Sequence, residues 1–152
     1  MSTRAGWAWR RAAALAGLVV ALDQAAKAAI EANLTTGEQV EVLGPLTLTL
    51  VHNRGVAFGL ASGGGAALVA LTVVALVFVA ALFARDPSRP GMWVAVGLLI
   101  GGALGNLADR LRADAVTDYV DVLSWPPFNL ADVAITAGVA ILALSYLRAE
   151  PR

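Results

Sequence analysis

Apolar residues fall along the chain in four long runs, at about Ala12–Ile30, Ala66–Ala84, Met92–Leu111 and Leu130–Leu147. Each approaches the roughly 20 residues an α-helix needs to cross the hydrocarbon core of a bilayer. The pattern predicts an all-α integral membrane protein with four transmembrane helices, folded as a single domain over residues 1–152. Arg85–Pro90, between the second and third runs, is short, charged and proline-containing, and reads as a tight turn. Residues 31–65 and 112–129 form longer connections. In the first of them, Glu41–Leu60 is rich in β-branched and apolar residues, punctuated by Gly44-Pro45 and Gly55. That predicts a small β-rich subdomain, a hairpin or short sheet, between helices 1 and 2. Gly63–Gly65 reads as a hinge or turn, and residues 112–129 read as loop.

Composition agrees with a lipid solvent. Of 152 residues, 59% are hydrophobic and 14% charged, against about 25% charged in a soluble domain. A single aqueous core of this size does not hide so much apolar surface. Four spans put both termini on one side and the two long loops on the other. Arg4, Arg10, Arg11, Arg85, Arg89, Arg148 and Arg152 fall on the terminal side; Arg54, Arg110 and Arg112 fall on the loop side. Seven basic residues against three predict cytoplasmic termini and outward-facing long loops. The first run is long for a cleavable signal peptide and is read as a helix.

Charge and composition then narrow the chemistry. The formal net charge is zero, so nothing suggests a nucleic-acid partner. The chain has no cysteine, which excludes disulfides, thiolate metal sites and a cysteine nucleophile. His52 is the single histidine, so a zinc site built on paired histidines is excluded too. No metal or other cofactor is expected. None of the serines (Ser2, Ser62, Ser88, Ser124, Ser145) stands in a G-x-S-x-G setting, and His52 has no evident serine partner.

What remains is a set of polar residues in apolar surroundings, where an ionisable group needs a partner or a role. Asp23 and Lys27 are four apart in the first span and read as an internal salt bridge. Asn106, Asp109 and Arg110 are spaced to share a face near the end of the third span, with Arg110 and Asp109 a candidate interfacial ion pair. Upstream, Gly97, Gly101 and Gly105 form overlapping GxxxG spacings that favour close helix packing. Asn129, Asp132 and Thr136 open the fourth span, where an acidic residue also suits the helix dipole. Asp118 and Asp121 lie in the loop before it, and Asp114 and Asp121 read as solvated. Two carboxylates held close together share a proton, so one can act as base on a water while the other donates to a carbonyl oxygen. An aspartic hydrolase is therefore open. An ion- or proton-coupled transporter and a non-enzymatic adaptor stay open beside it, although four spans without an internal repeat and carboxylates gathered at one end suit a carrier poorly.

Five segments, in order, resemble the bacterial lipoprotein signal peptidase (signal peptidase II) family. They are DQAAK at Asp23–Lys27, HNRGVAF at His52–Phe58, GNLADR at Gly105–Arg110, VTDYVDV at Val116–Val122 and FNLADVAI at Phe128–Ile135. The resemblance covers nearly the whole chain. It implies a four-helix enzyme of the bacterial cytoplasmic (inner) membrane, with its site near the outer face. The implied reaction removes the signal peptide from diacylglyceryl-modified prolipoproteins. The cut falls before the lipidated cysteine, with two aspartates activating a water and no cofactor. Carried over, the catalytic pair is Asp118 and Asp132. Asn53, Asn106, Asp109, Arg110 and Asn129 match the polar positions around it, and Asp23 and Lys27 match supporting ones. Partners implied are the prolipoprotein substrates and membrane lipid, with the enzyme a monomer. Arg54 departs from the family, which usually has threonine or a similar small residue there; Tyr119 stands where phenylalanine is common.

Overall fold

The structure is a computed structural model that describes residues 3–55, 64–123 and 125–147. Several positions singled out above lie outside the described residues: Ser2, Val56–Leu60, Ser62, Gly63, Ser124, Arg148 and Arg152.

Four helices are present among the described residues: α1 (Thr3–Asn33), α2 (Gly64–Arg85), α3 (Met92–Ala113) and α4 (Leu130–Leu147). All four are long and apolar enough to cross a membrane. The helices fall on the four apolar runs, with different ends. α1 begins nine residues before Ala12 and runs past Ile30, and at 31 residues its length of about 46 Å exceeds the hydrocarbon core. Arg4, Arg10 and Arg11 interrupt the apolar pattern over its first turns. Gly64 and Gly65, read as hinge or turn, instead belong to the first turn of α2.

α3 is the central helix, packed chiefly on α1 and α4 and less extensively on α2. Its glycines make this possible. A Cβ at Gly101 would lie 2.8 Å from the Ala16 carbonyl oxygen of α1, and one at Gly102 only 2.5 Å from the Ala131 carbonyl oxygen of α4. Backbone thus meets backbone on both sides of one α3 turn, as small residues allow in lipid. At one end of the bundle Phe83, Met92 and Val96 are fully buried with Ala8 and Ala12, and the Trp9 and Phe83 rings lie 4.5 Å apart. α2 instead exposes Leu71, Val74, Val77 and Phe78, which suits a lipid-facing helix.

The β-rich subdomain exists, but it is larger than the first loop alone. β1 (Gln39–Leu43) and β2 (Leu46–Asn53) form the expected hairpin around Gly44-Pro45. A third strand, β3 (Val116–Val122), comes from the connection read as loop and pairs antiparallel with β2, giving the order β1-β2-β3. Its β-branched residues suit a strand, and its partner lies some 65 residues earlier in the chain, where local pattern does not reach. α3 ends at Asp114, whose left-handed backbone (φ 54°) turns the chain into β3 and whose N–H donates to the Arg110 carbonyl.

Candidate active site

The site forms where β3, the end of α3 and the start of α4 meet. β3 places Asp118 opposite Val51 and Val116 opposite Asn53, so Asn53 and Asp118 are diagonal neighbours on one face of the sheet. The Asn53 Nδ2 donates to Asp118 Oδ2 at 3.0 Å. After β3 the chain doubles back. Phe128 N donates to the Val120 carbonyl at 3.0 Å, and Tyr119 and Val120 donate to the Phe128 carbonyl. This return delivers Asn129 beside Asp118 as the residue that caps α4.

Asn129 is wholly buried. Its Oδ1 accepts from the Asp132 backbone N–H at 3.0 Å, and Asp132 Oδ2 accepts from the Asn129 N–H at 3.2 Å. The exchange has the form of a capping box, and a cap of this kind is worth about 1 kcal/mol. Two of the remaining first-turn donors of α4 are satisfied across the fold, and Val133 makes the helix's own first bond. Leu130 N–H donates to the Tyr119 hydroxyl, Ala131 N–H to Asp23 Oδ1 at 2.9 Å, and Val133 N–H to the Asn129 carbonyl. Asp23 therefore fixes the start of α4 as well as pairing within α1.

Two asparagine amides join the carboxylates. Asn129 Nδ2 donates to Asp118 Oδ1 at 2.7 Å and to Asn106 Oδ1 at 3.2 Å, and Asn106 Nδ2 donates to Asp132 Oδ1 at 2.8 Å. Lys27 Nζ also donates to Asn106 Oδ1, at 2.9 Å. With two donors on its oxygen, the Asn106 amide has one orientation open, which aims its NH2 at Asp132.

Beneath lies a buried ionic cluster. Lys27 Nζ meets Asp23 Oδ2 at 2.8 Å, the expected i,i+4 bridge, and also Asp109 Oδ2 at 2.7 Å. Arg112 reaches Asp109 Oδ1 from the exposed rim at 3.1 Å. Two carboxylates and two cations balance, as buried charges must. The proposed Asp109–Arg110 pair is not formed. Successive helical residues point about 100° apart, so Asp109 turns to α1 while Arg110 lines the cavity described next. Gln24 went unnoticed in sequence, although it is a polar side chain within a span. It donates to Asp109 Oδ1 at 3.0 Å and accepts from Arg112. Glu31, likewise missed, accepts from the Thr117 hydroxyl at 2.7 Å and ties α1 to β3.

Asp118, Asp132, Asn53, Asn106 and Arg110 line one end of a cavity of about 520 Å³. The rest of its wall is largely apolar, from Leu68, Leu71, Ala75, Leu76 and Val79 of α2, Leu99 and Ala103 of α3, Val116 of β3 and Ile135 of α4, with Thr72, whose hydroxyl donates to the Leu68 carbonyl. From Asn106 to Leu99 it follows α3 for about 10 Å. Burial pushes the Asp118 carboxyl up to about 6, and the nearby Asp132 charge adds to the effect; donors from Asn53 and Asn129 and the Lys27 charge oppose it. Asp114 is exposed and Asp121 half-buried, and neither lines this cavity. Among the described residues no group of His, Cys, Asp and Glu has the arrangement to hold a metal ion.

A bundle of four bilayer-length helices, with an amide-bridged carboxylate pair opening on an apolar cavity, defines a multi-pass membrane protein built around a polar site. The sequence profile described as Signal peptidase (SPase) II matches residues 15–148. The lipoprotein signal peptidase of Moorella thermoacetica is 46% identical over 135 residues, covering 88% of this chain and 90% of that protein. That of Pelotomaculum thermopropionicum is 42% identical over 132 residues, covering 86% and 87%. A bacterial membrane enzyme solved by the in meso method at 1.9 Å resolution superposes with a TM-score of 0.84 at 32% identity, over 91% of this chain and 93% of that one. A second, at 2.3 Å resolution, gives 0.82 at 31% identity, over 93% of each. The chain belongs to the lipoprotein signal peptidase (signal peptidase II) family and is a peptidase. That decides against the transporter and adaptor alternatives.

Proposed function

We propose that this protein is an aspartic endopeptidase that removes the signal peptide from diacylglyceryl-modified prolipoproteins, cutting before the lipidated cysteine. The observation that carries this reading is the hydrogen-bonded chain Asp118–Asn129–Asn106–Asp132, which holds two carboxylates at the end of one partly apolar cavity. The elevated Asp118 suits the group that holds a proton at the start. Asp132 takes a proton from a water as the water oxygen attacks the scissile carbonyl carbon, while Asp118 gives its proton to the carbonyl oxygen. The tetrahedral diol then collapses. Its hydroxyl proton returns to Asp118, the proton on Asp132 passes to the leaving nitrogen, and the C–N bond breaks. Both carboxyls end as they began. Arg110, at the cavity wall, orients the peptide backbone, and the apolar trough along α2 and α3 takes acyl chains.

In this reading the bacterial cytoplasmic membrane houses the enzyme, with both termini cytoplasmic and the site near the outer face. In this reading the enzyme acts as a monomer. The test is cleavage of a diacylglyceryl-modified prolipoprotein by the purified protein in detergent. Wild type cuts before the modified cysteine; Asp118→Asn and Asp132→Asn each lose activity by at least about three orders of magnitude while keeping helix content. Turnover retained in either folded variant removes that aspartate from the mechanism.

A further inference from the structure

A second cavity lies at the opposite end of the bundle, between the N-terminal turns of α1 and the turn from α2 to α3, with a volume of about 520 Å³. Among the described residues its wall is formed by Arg4, Arg11 and Arg89, Trp7 and Trp93, and Ser88 with neighbouring Ala8, Pro87, Pro90 and Gly91, and includes no acidic residue. Among the described residues, Arg4 and Arg11 have no carboxylate within ion-pair distance. Arg11 lies instead over the Trp7 ring at 3.7 Å and 5.4 Å from the Trp93 ring centre. Arg89 meets Asp86 through Nε at 3.4 Å and lies over the Tyr146 ring. Its Nη1 is buried and has no hydrogen-bond partner among the described residues.

Stacking on a ring uses the flat face of a guanidinium and leaves its N–H edge free to donate. Three like charges around one space repel each other, and a buried donor without an acceptor is unfavourable. An anion entering this space relieves both. Position identifies its source. From Arg4 to Glu31 α1 rises about 40 Å, close to a bilayer with its headgroups. When the carboxylate site lies at one boundary, this cavity lies at headgroup depth in the other leaflet. Tryptophan is the residue that favours that depth, and basic pockets between helices there suit lipid phosphates.

We propose that this cavity binds the phosphate of an anionic phospholipid headgroup in the leaflet opposite the carboxylate site. The full-length protein in neutral detergent, titrated with phosphatidylglycerol and separately with phosphatidylcholine, tests it by native mass spectrometry. Wild type retains phosphatidylglycerol adducts in preference to phosphatidylcholine. Arg11→Gln lowers their occupancy about fivefold, the change expected for one arginine near an anionic headgroup. Arg10→Gln removes the same charge from a neighbour outside the cavity and lowers occupancy less than Arg11→Gln does. Helix content and retained peptidase activity verify that each variant is folded. Equal loss from Arg10→Gln and Arg11→Gln overturns the site in favour of diffuse attraction. Inorganic phosphate competing at equal concentration overturns the lipid as its occupant. Absence of any phosphatidylglycerol preference in wild type overturns both.

Discussion

At the scale of single residues, the Asp118 carboxyl is pulled in two directions. Burial and the Asp132 charge raise it, while the donors Asn53 and Asn129 hold it down, with about 6 as the result. A raised carboxyl keeps its proton to higher pH, so a general acid at this position loses its proton as pH climbs through that value. The expected kcat/KM therefore falls on its alkaline limb with a midpoint near pH 6. Asn53→Ala deletes a donor that favours the anion. The limb then moves to higher pH, by about one to two units for the loss of one hydrogen bond to a charged group. A pH–rate profile of both proteins decides it, and an unmoved or lowered midpoint assigns the proton donor to another residue. Part of this site was legible in sequence. Aspartates and asparagines stood out because polar groups in apolar helices need a reason. Their connections were not legible. Asp109 and Arg110 are adjacent in the chain yet serve different neighbours, and Asn129 joins Asp118 to Asp132 only because the chain folds back through Phe128.

Among elements, the helices were readable because hydropathy is a property of each run by itself. The third strand was not. Val116–Val122 becomes a strand by pairing with β2, and that pairing is a contact between distant segments. The sheet nonetheless depends on the helices, because α3 sets where both β3 and α4 begin. If Asp132 acts as proposed, this makes the α3–α4 contact a lever on catalysis. A methyl at Gly102 would stand 2.5 Å from the Ala131 carbonyl oxygen and 2.8 Å from Ile135 Cγ1. Neither the α4 backbone nor a packed side chain yields so much locally, so Gly102→Ala displaces the start of α4 and carries Asp132 with it. A shift of order 1 Å at a reacting group costs about 100-fold in rate. The expected kcat falls by ten- to one-hundred-fold, while Gly17→Ala, whose new methyl meets nothing within 4 Å, keeps wild-type turnover. Steady-state kinetics of the two variants separates the cases; equal activity means that α4 absorbs the methyl without moving Asp132.

On the scale of the whole molecule, the two ends of the bundle are chemically unlike. One carries the carboxylates, amides and sheet; the other carries the aromatic-backed arginines. Among the described residues, Arg4, Arg10, Arg11, Arg85 and Arg89 lie toward the end of the bundle that carries the α2–α3 turn, against Arg54, Arg110 and Arg112 toward the other. That bias opposes export of the terminal side, and the salt bridges of Lys27 and Arg112 to Asp109 compensate two of the cations nearest the other face. Orientation is testable because the chain has no cysteine of its own, so any thiol introduced is the sole one. Thr36 and Ser88 are exposed on opposite sides of the bundle, one before β1 and one in the turn between α2 and α3. In intact cells a membrane-impermeant maleimide labels Thr36→Cys at once, whereas Ser88→Cys labels only after the membrane is permeabilised. The reverse pattern would turn the carboxylates to the cytoplasm. A substrate whose modified cysteine lies at the outer face would then be beyond their reach, because the distance along α1 is most of a bilayer.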